Sequence, residues 1–487
     1  MPHRIVNAPS PPQPNAGSTN SPTARPKGTL RRRAVYALLY ALAALALASV
    51  WALVFPQQMP AAIGEHVETL TGANPHPVTL MRPATAPLSA VALLGKQMFF
   101  DPRLSASGQQ SCATCHSPQH AYGPPNALPV QPGGAHMSLQ GDRAVPLLTY
   151  LYRQPNFSIG PDDGEAETTA SLADTAAQAA SVPRAQKVAG AAPAAPAMVP
   201  QGGLFWDGRA DTLQAQAYGP LFNPVEMANT DVKTVAAKIA EAPYAATLRQ
   251  LFGPAIFNDP ARVVSEAMFA IARYQVEDPS FHPYTSKYDY WLEGKVRLTR
   301  AEIRGLHLFT DKNRANCAGC HLATPGKDGL PPMFTDFQYE ALGVPRNRTL
   351  AVNRDPAFHD MGVCGPHRTD LSTQTQYCGM FLTPSLRNAA TRQAFFHNGV
   401  YHSLEDVMKF YNLRDTDPGK IYPRGPDGKV VKYDDLPERF HANIDVTDAP
   451  FDRHFGEPPA MSDADIKDII AFLKTLDDGY PLQTAQK

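Results

Sequence analysis

Two five-residue runs constrain this chain more than any other feature: Cys-Ala-Thr-Cys-His from Cys112 to His116 and Cys-Ala-Gly-Cys-His from Cys317 to His321. A haem attached through two thioethers needs cysteines three positions apart, so that both sulfurs meet one edge of the ring, and a following imidazole that can reach the iron. Cys112, Cys115 and His116 meet that demand, and so do Cys317, Cys320 and His321. The competing use of the cysteines is a zinc tetrathiolate made from both pairs. That use leaves the two histidines without a role and must join distant parts of the chain. Two covalently bound c-type haems are therefore expected.

The motifs belong to a duplication. "GKQMFFD" (95–101) and "GLHLFTD" (305–311) share Gly, Phe and Asp at identical offsets, and each leads into its own motif. Apolar residues at three and four spacing predict helices over 89–100, 234–242, 260–275, 299–309, 403–412 and 462–476. Ser403 with Asp406 and Ser462 with Asp465 resemble helix starts, a capping hydroxyl followed by an acid three positions on. No convincing run of alternating strands appears. Proline, 48 of 487 residues, is about twice its usual share and predicts much ordered loop. The expected fold is mainly α and loop-rich, with two cytochrome c-like haem domains packed together behind an N-terminal transmembrane helix.

Residues 1–33 contain no acid but carry Arg4, Arg25, Lys27 and the run Arg31, Arg32, Arg33, and read as a basic cytoplasmic tail. Residues 34–55 are uncharged and apolar, enough as a helix to cross a hydrocarbon core of about 30 Å, and read as a transmembrane anchor. A cleaved signal peptide leaving a soluble periplasmic protein is the alternative. Either way the body is exported, which agrees with c-type haems, attached outside the cytoplasm in bacteria. The expected place is the bacterial inner membrane, single-pass, with the catalytic domains in the periplasm. Residues 56–87 read as a linker, and 160–203, rich in Ala, Pro and small polar residues, as a flexible surface insertion. Cys364 and Cys378, close in sequence and in an oxidising compartment, read as a disulfide. The formal net charge of −1 and the lack of a long basic stripe exclude a nucleic-acid partner.

Three further stretches, "LGKQMFFDPRLS" before the first motif, "FWDGRADTLQAQAYGPLFNPVEM" (205–227) and "FLTPSLRNAATRQAFFHNGVYHSLEDVMKFYN" (381–412), resemble the bacterial di-haem cytochrome c peroxidase superfamily, which includes the MauG-type protein-oxidising enzymes. The resemblance covers roughly 88–480. It implies an N-terminal peroxidatic haem domain over 88–290 and a C-terminal electron-transfer haem domain over 291–480. It also implies roles for single residues. Glu226 matches the acid–base glutamate, Gln216 the distal amide, Phe205 and Pro220 the apolar walls, and Trp206 the tryptophan between the haems. Tyr411 stands where ordinary members carry a distal methionine ligand of the second haem; this is the MauG-type arrangement, with Met408 and Met380 as rivals. His136 is the candidate displaceable ligand of the first haem. The family's interdomain calcium is weakly matched, because its asparagine position is Ala144, leaving the carbonyls of Arg392 and Ala394.

The expected function is reduction of hydrogen peroxide to water, with electrons from an exported cytochrome c or cupredoxin passing through the second haem. An alternative is a MauG-like enzyme that uses peroxide and a high-valent di-haem state to oxidise a partner protein. A non-catalytic di-haem electron carrier or sensor is a third reading, which the Gln216 and Glu226 pair argues against. A homodimer, as many relatives form, stays open.

Overall fold

The computed structural model describes residues 61–162 and 198–482, together with Val35, Tyr36 and Tyr40. Apart from those three residues, the expected anchor, 34–55, lies outside them, as does most of the insertion, 163–197. No helix among the described residues is long and apolar enough to cross a membrane. Residues from Pro60 onward form one compact unit.

Helices supply most of the regular structure. They are α1 (Ala61–Thr71), α2 (Ala90–Phe99), α3 (Cys112–Cys115), α4 (Leu213–Phe222), α5 (Val232–Glu241), α6 (Ala245–Phe252), α7 (Pro260–Glu277), α8 (Lys287–Leu292), α9 (Arg300–Thr310), α10 (Leu404–Leu413) and α11 (Asp463–Leu473). The six periodic stretches became α2, α5, α7, α9, α10 and α11. Ser403 and Ser462 cap as expected, accepting from the backbone N–H of Asp406 and Asp465. The described strands form three antiparallel ribbons: β1 (Pro132–Gly133) with β2 (Leu139–Gln140), β3 (Ser158–Pro161) with β4 (Met198–Gln201), and β5 (Tyr339–Glu340) with β6 (Phe381–Leu382). The β3–β4 pairing runs from Ser158 opposite Gln201 to Pro161 opposite Met198, so the insertion leaves and re-enters the fold at one clipped base.

The duplication is physical. In the first module α2 crosses α7, and a Cβ on Gly95 would lie 1.8 Å from the Ala270 carbonyl oxygen. In the second, α9 crosses α11, and a Cβ on Gly305 would lie 2.0 Å from the Asp468 carbonyl oxygen. The repeated glycine is thus the point where backbone meets backbone, a separation that any side chain would increase. Phe99 and Phe309, the repeated aromatics four positions on, are fully buried in their respective cores. A third core around Tyr339, Tyr433 and the Cys364–Cys378 disulfide fills the side of the second module.

Two boundaries differ from expectation. Within the expected linker 56–87, residues 61–71 form a helix and 72–87, irregular as expected, are nonetheless fastened to the second module: α1 lies against α9, the Gly72 carbonyl accepts from Trp291 Nε1 (3.0 Å), and Arg82 forms a two-pronged pair with Glu293 (2.8 and 2.9 Å). Leu80 is buried in the second core. Its contacts run through glycine and single polar side chains, which leave no periodic trace. The boundary expected between 290 and 291 falls inside α8, whose Tyr288, Trp291 and Leu292 are buried in the second core.

Candidate active site

The two cysteine–histidine motifs are built alike although their flanking loops are not. His116 Nδ1 lies 3.0 Å from the Tyr122 carbonyl oxygen, and His321 Nδ1 lies 2.9 Å from that of Phe334. Only a protonated nitrogen can face a carbonyl, so Nε2 of each ring is the bare nitrogen available to a metal. Tyr122 and Phe334 hold positive φ, 55° and 53°, a conformation that costs aromatic residues of order 1–3 kcal/mol and here turns the carbonyl toward the histidine. Burial pushes both imidazoles down to about 4, keeping them neutral, the ligand form. Cys112, Cys115, Cys317 and Cys320 are half-buried and form no disulfide. Among the described residues no group of three or more His, Cys, Asp or Glu could hold a metal ion, so the pairs do not converge into a zinc tetrathiolate.

A cavity of about 290 Å³ is lined by Cys317, Cys320, His321, Met408 and Tyr411 of the second module and reaches Phe205, Trp206 and Gln216. Tyr411 is half-buried beside Cys317 and Cys320, and burial pushes its phenol above the ordinary range. Met380 is buried in the third core and does not line this cavity, so among the two methionines Met408 alone shares it with Tyr411. The walls carry polar atoms without hydrogen-bond partners, Arg392 Nη2 and His397 Nε2. His397 stacks on Phe381, ring centroids 3.7 Å apart. Paired thiols, a histidine with a bare nitrogen and an apolar cavity with unspent polar groups together fit a c-type haem.

Trp206 stands between the two motifs in hydrogen-bond terms. Its Nε1 donates to the Ala144 carbonyl (2.8 Å) and its own carbonyl accepts from Leu382 N (3.0 Å). Two residues beyond each contact is a proline, Pro146 or Pro384, whose carbonyl faces the His116 or His321 ring. The tryptophan is therefore tied to both histidines through short backbone strips.

The residues expected over the first haem lie on α4 and the turn after it. Thr212 caps α4 by accepting from Ala215 N. Gln216 is buried on this helix, and Pro220, which has no N–H, removes the helical bond to the Gln216 carbonyl. Phe205 packs where a Cβ on Gly219 would approach it to 3.0 Å, and the Arg209 guanidinium stacks on its ring at 3.6 Å. Asn223 builds the next turn: its carbonyl accepts from Glu226 N and Ala228 N, and its Nδ2 donates to Glu226 Oε1 at 2.6 Å. Gly134 N donates to the Glu226 carbonyl at 2.7 Å, seating the β1–β2 hairpin on this turn. Burial raises the Glu226 carboxyl above its ordinary value, while Asn223, Arg209 and His367 pull it back. Burial mainly pushes the Cys115 thiol up to about 11, and the Glu226 charge adds to the rise. Gln110 Nε2 donates both to Cys115 Sγ (3.5 Å) and to the Pro132 carbonyl (3.3 Å), joining the first motif to the hairpin seated on the Glu226 turn.

Not every expected residue is gathered in the cavity. Cys112, Cys115 and His116 of the first motif, Glu226, Pro220 and His136 are not part of its wall, and His136 is exposed in the β1–β2 turn. The calcium expectation meets an obstacle: the Ala394 carbonyl, one of the expected donors, accepts from Arg392 Nε at 3.1 Å, placing a guanidinium against it. Sequence reasoning missed Asn223 and Arg209. The Asn-Pro pair three residues before Glu226 is a turn signal that could have found the first.

Comparison with known proteins gives consistent relatives. A family profile described as di-haem cytochrome c peroxidase matches residues 89–297. The methylamine utilization protein MauG of Paracoccus denitrificans is 32% identical over 410 residues, 80% of this chain and 89% of that protein. The cytochrome c551 peroxidase of Nitrosomonas europaea is 28% identical over 68% of this chain and 76% of its own length. Among solved structures, the diheme peroxidase BthA of Burkholderia thailandensis superposes with a TM-score of 0.68 at 36% identity, covering 82% of this chain and 89% of that one.

Proposed function

This chain belongs to the di-haem cytochrome c peroxidase family and is an oxidoreductase of that type, and from that premise we propose that it reduces hydrogen peroxide to water at the first motif. The balance is one peroxide, two electrons and two protons giving two waters. The observation that carries the reading is the Glu226 turn, a carboxylate held by Asn223 and joined to the first motif through the β1–β2 hairpin and Gln110.

Cys112, Cys115 and His116 would hold a haem, which would supply the redox chemistry of O–O cleavage. The protein's own residues do the rest. Glu226, its carboxyl raised by burial, takes a proton from the near oxygen of peroxide and returns it to the far one. The Gln216 amide orients the substrate, and Phe205 and Pro220 keep bulk water away. Trp206, tied to both histidine strips, lies on the path for electrons arriving from the second motif. The donor is an exported cytochrome c or cupredoxin. His136 would serve in the same reading as a displaceable ligand of the first haem; the hairpin that carries it stands on the Glu226 backbone.

A second reading, oxidation of a partner protein, is favoured by one observation, Tyr411 in the cavity beside Cys317 and Cys320. Phenolate is a hard anionic ligand that disfavours reduction of the iron it binds. The deciding experiment measures peroxide consumption by the purified diferric protein with a reduced small cytochrome. Sustained turnover supports the peroxidase. Peroxide reacting once, with no turnover until a protein substrate is added, supports the second reading, and no peroxide chemistry in any form refutes both.

We further propose that residues 34–55 anchor the protein in the inner membrane with the haem modules in the periplasm. Deleting 34–55 behind a cleavable export signal should release active protein into the soluble periplasm, and membrane retention of that variant would refute the anchor.

A further inference from the structure

Arginines whose side chains are deep in the fold follow one rule, from which Arg392, half-buried with its Nη2 fully enclosed, departs. Arg143 is held by Asp207 and Asp360, Arg346 by Asp435, Arg387 by Asp289 and Arg414 by Asp415. Burying a guanidinium without an anion is costly, which is why each has its carboxylate. Arg392 has none among the described residues. Its Nη1 donates to the Val145 carbonyl (2.9 Å), its Nε to the Ala394 carbonyl (3.1 Å), and its Nη2 is buried with no partner. Burial alone pushes its pKa down to about 10.

Its position gives the exception a meaning. Val145 lies between Ala144, which accepts from Trp206, and Pro146, whose carbonyl faces His116. Arg392 also lines the cavity that holds Cys317 and Cys320, and its charge is felt at the His116 ring. It comes from the second module and fastens a strip of the first. We propose that Arg392 is the built-in cation of the interface between the two haem sites, clamping the 144–146 strip and receiving on its remaining N–H a carboxylate side chain of a haem. This rests on reading the two motifs as haem sites. The anion its neighbours draw from aspartate comes, for Arg392, from the cofactor. It is a positioning residue and touches no reacting atom.

The test uses the full-length holoprotein and reads the midpoint potentials of both haems by spectroelectrochemistry, with EPR of the ferric haems. A nearby positive charge favours the reduced haem, so Arg392→Leu should shift at least one midpoint potential downward and alter that haem's EPR signal. Arg392→Lys, which keeps the charge, should return the potential toward the wild-type value. If Arg392→Leu does not mature, Arg392→Gln, neutral but still a hydrogen-bond donor, is read in the same way. Both potentials unchanged in a neutral variant carrying two haems overturn the proposal, as does a lysine variant no different from the neutral one. Mass measurement separates the premises: a wild-type chain carrying no covalent haem overturns the haem reading itself.

Discussion

Replacing Glu226 by Gln isolates proton transfer from everything else the Glu226 turn does. Glutamine has the length and shape of glutamate, and its amide oxygen can still accept from Asn223 Nδ2, now 2.6 Å from Glu226 Oε1. The backbone contacts of the residue, Glu226 N to the Asn223 carbonyl (3.0 Å) and Gly134 N to the Glu226 carbonyl (2.7 Å), do not depend on the side chain. Fold and haem attachment should therefore survive. What is lost is a group that can accept a proton and return it, worth roughly 10²–10⁴-fold in rate, or about 3–5 kcal/mol of barrier. The assay is kcat/KM for peroxide with a reduced cytochrome donor, across pH. In the wild type the acid limb should lie above the ordinary carboxylate range, because burial disfavours the ionised form that must act as base. Activity therefore falls as pH drops through that raised value. Asn223→Ala, which removes a hydrogen bond that stabilises the carboxylate, should move the limb further up. In Glu226→Gln the limb should vanish with the activity. A Glu226→Gln enzyme within threefold of wild type, or one retaining the same acid limb, would refute the assignment of Glu226 as the acid–base group.

Three other outcomes are expected. Tyr411→Phe should change the optical spectrum and EPR signal of the second ferric haem while Met408→Leu leaves them intact; the opposite pattern would assign the ligand to Met408, which shares the cavity. Arg387→Met strands Asp289 in a pair whose two side chains are both fully buried and should cost about 3–5 kcal/mol in denaturant unfolding of the holoprotein, with part recovered by adding Asp289→Leu. A loss below about 1 kcal/mol would contradict that account. Gly305→Ala places a Cβ 2.0 Å from a backbone oxygen of α11 and should destabilise by about 1–3 kcal/mol, since neither helix backbone can yield locally; an unchanged unfolding midpoint would show that the crossing is loose.

What the sequence made legible, and what it hid, divides along a physical line. Side chains that pack with a period were legible: α2, α7, α9 and α11 follow their apolar spacing, and the Gly–Phe–Asp repeat marked the two helix crossings. Helix α4 was not, because "LQAQAYGPLF" has almost no apolar face and carries Gly219 and Pro220, both breakers by rule. It packs on α7 through Ala217, Leu221 and Phe222 without a regular apolar period. The third core was missed because its residues join through a disulfide and short turns. The deepest case is the histidine carbonyls. Tyr122 follows its histidine by 6 positions and Phe334 follows its own by 13, so no alignment of the two halves pairs them. Neither residue type advertises a positive φ. Yet both arrive at the same carbonyl, the same hydrogen-bond length within 0.1 Å and nearly the same φ. Loop length drifted while the carbonyl stayed, which is what selection on the orientation of a ligand, and not on the loop that delivers it, would leave behind. By the same reasoning Arg392 could not be read from sequence, since both of its protein partners are backbone oxygens, and backbone oxygens have no letter.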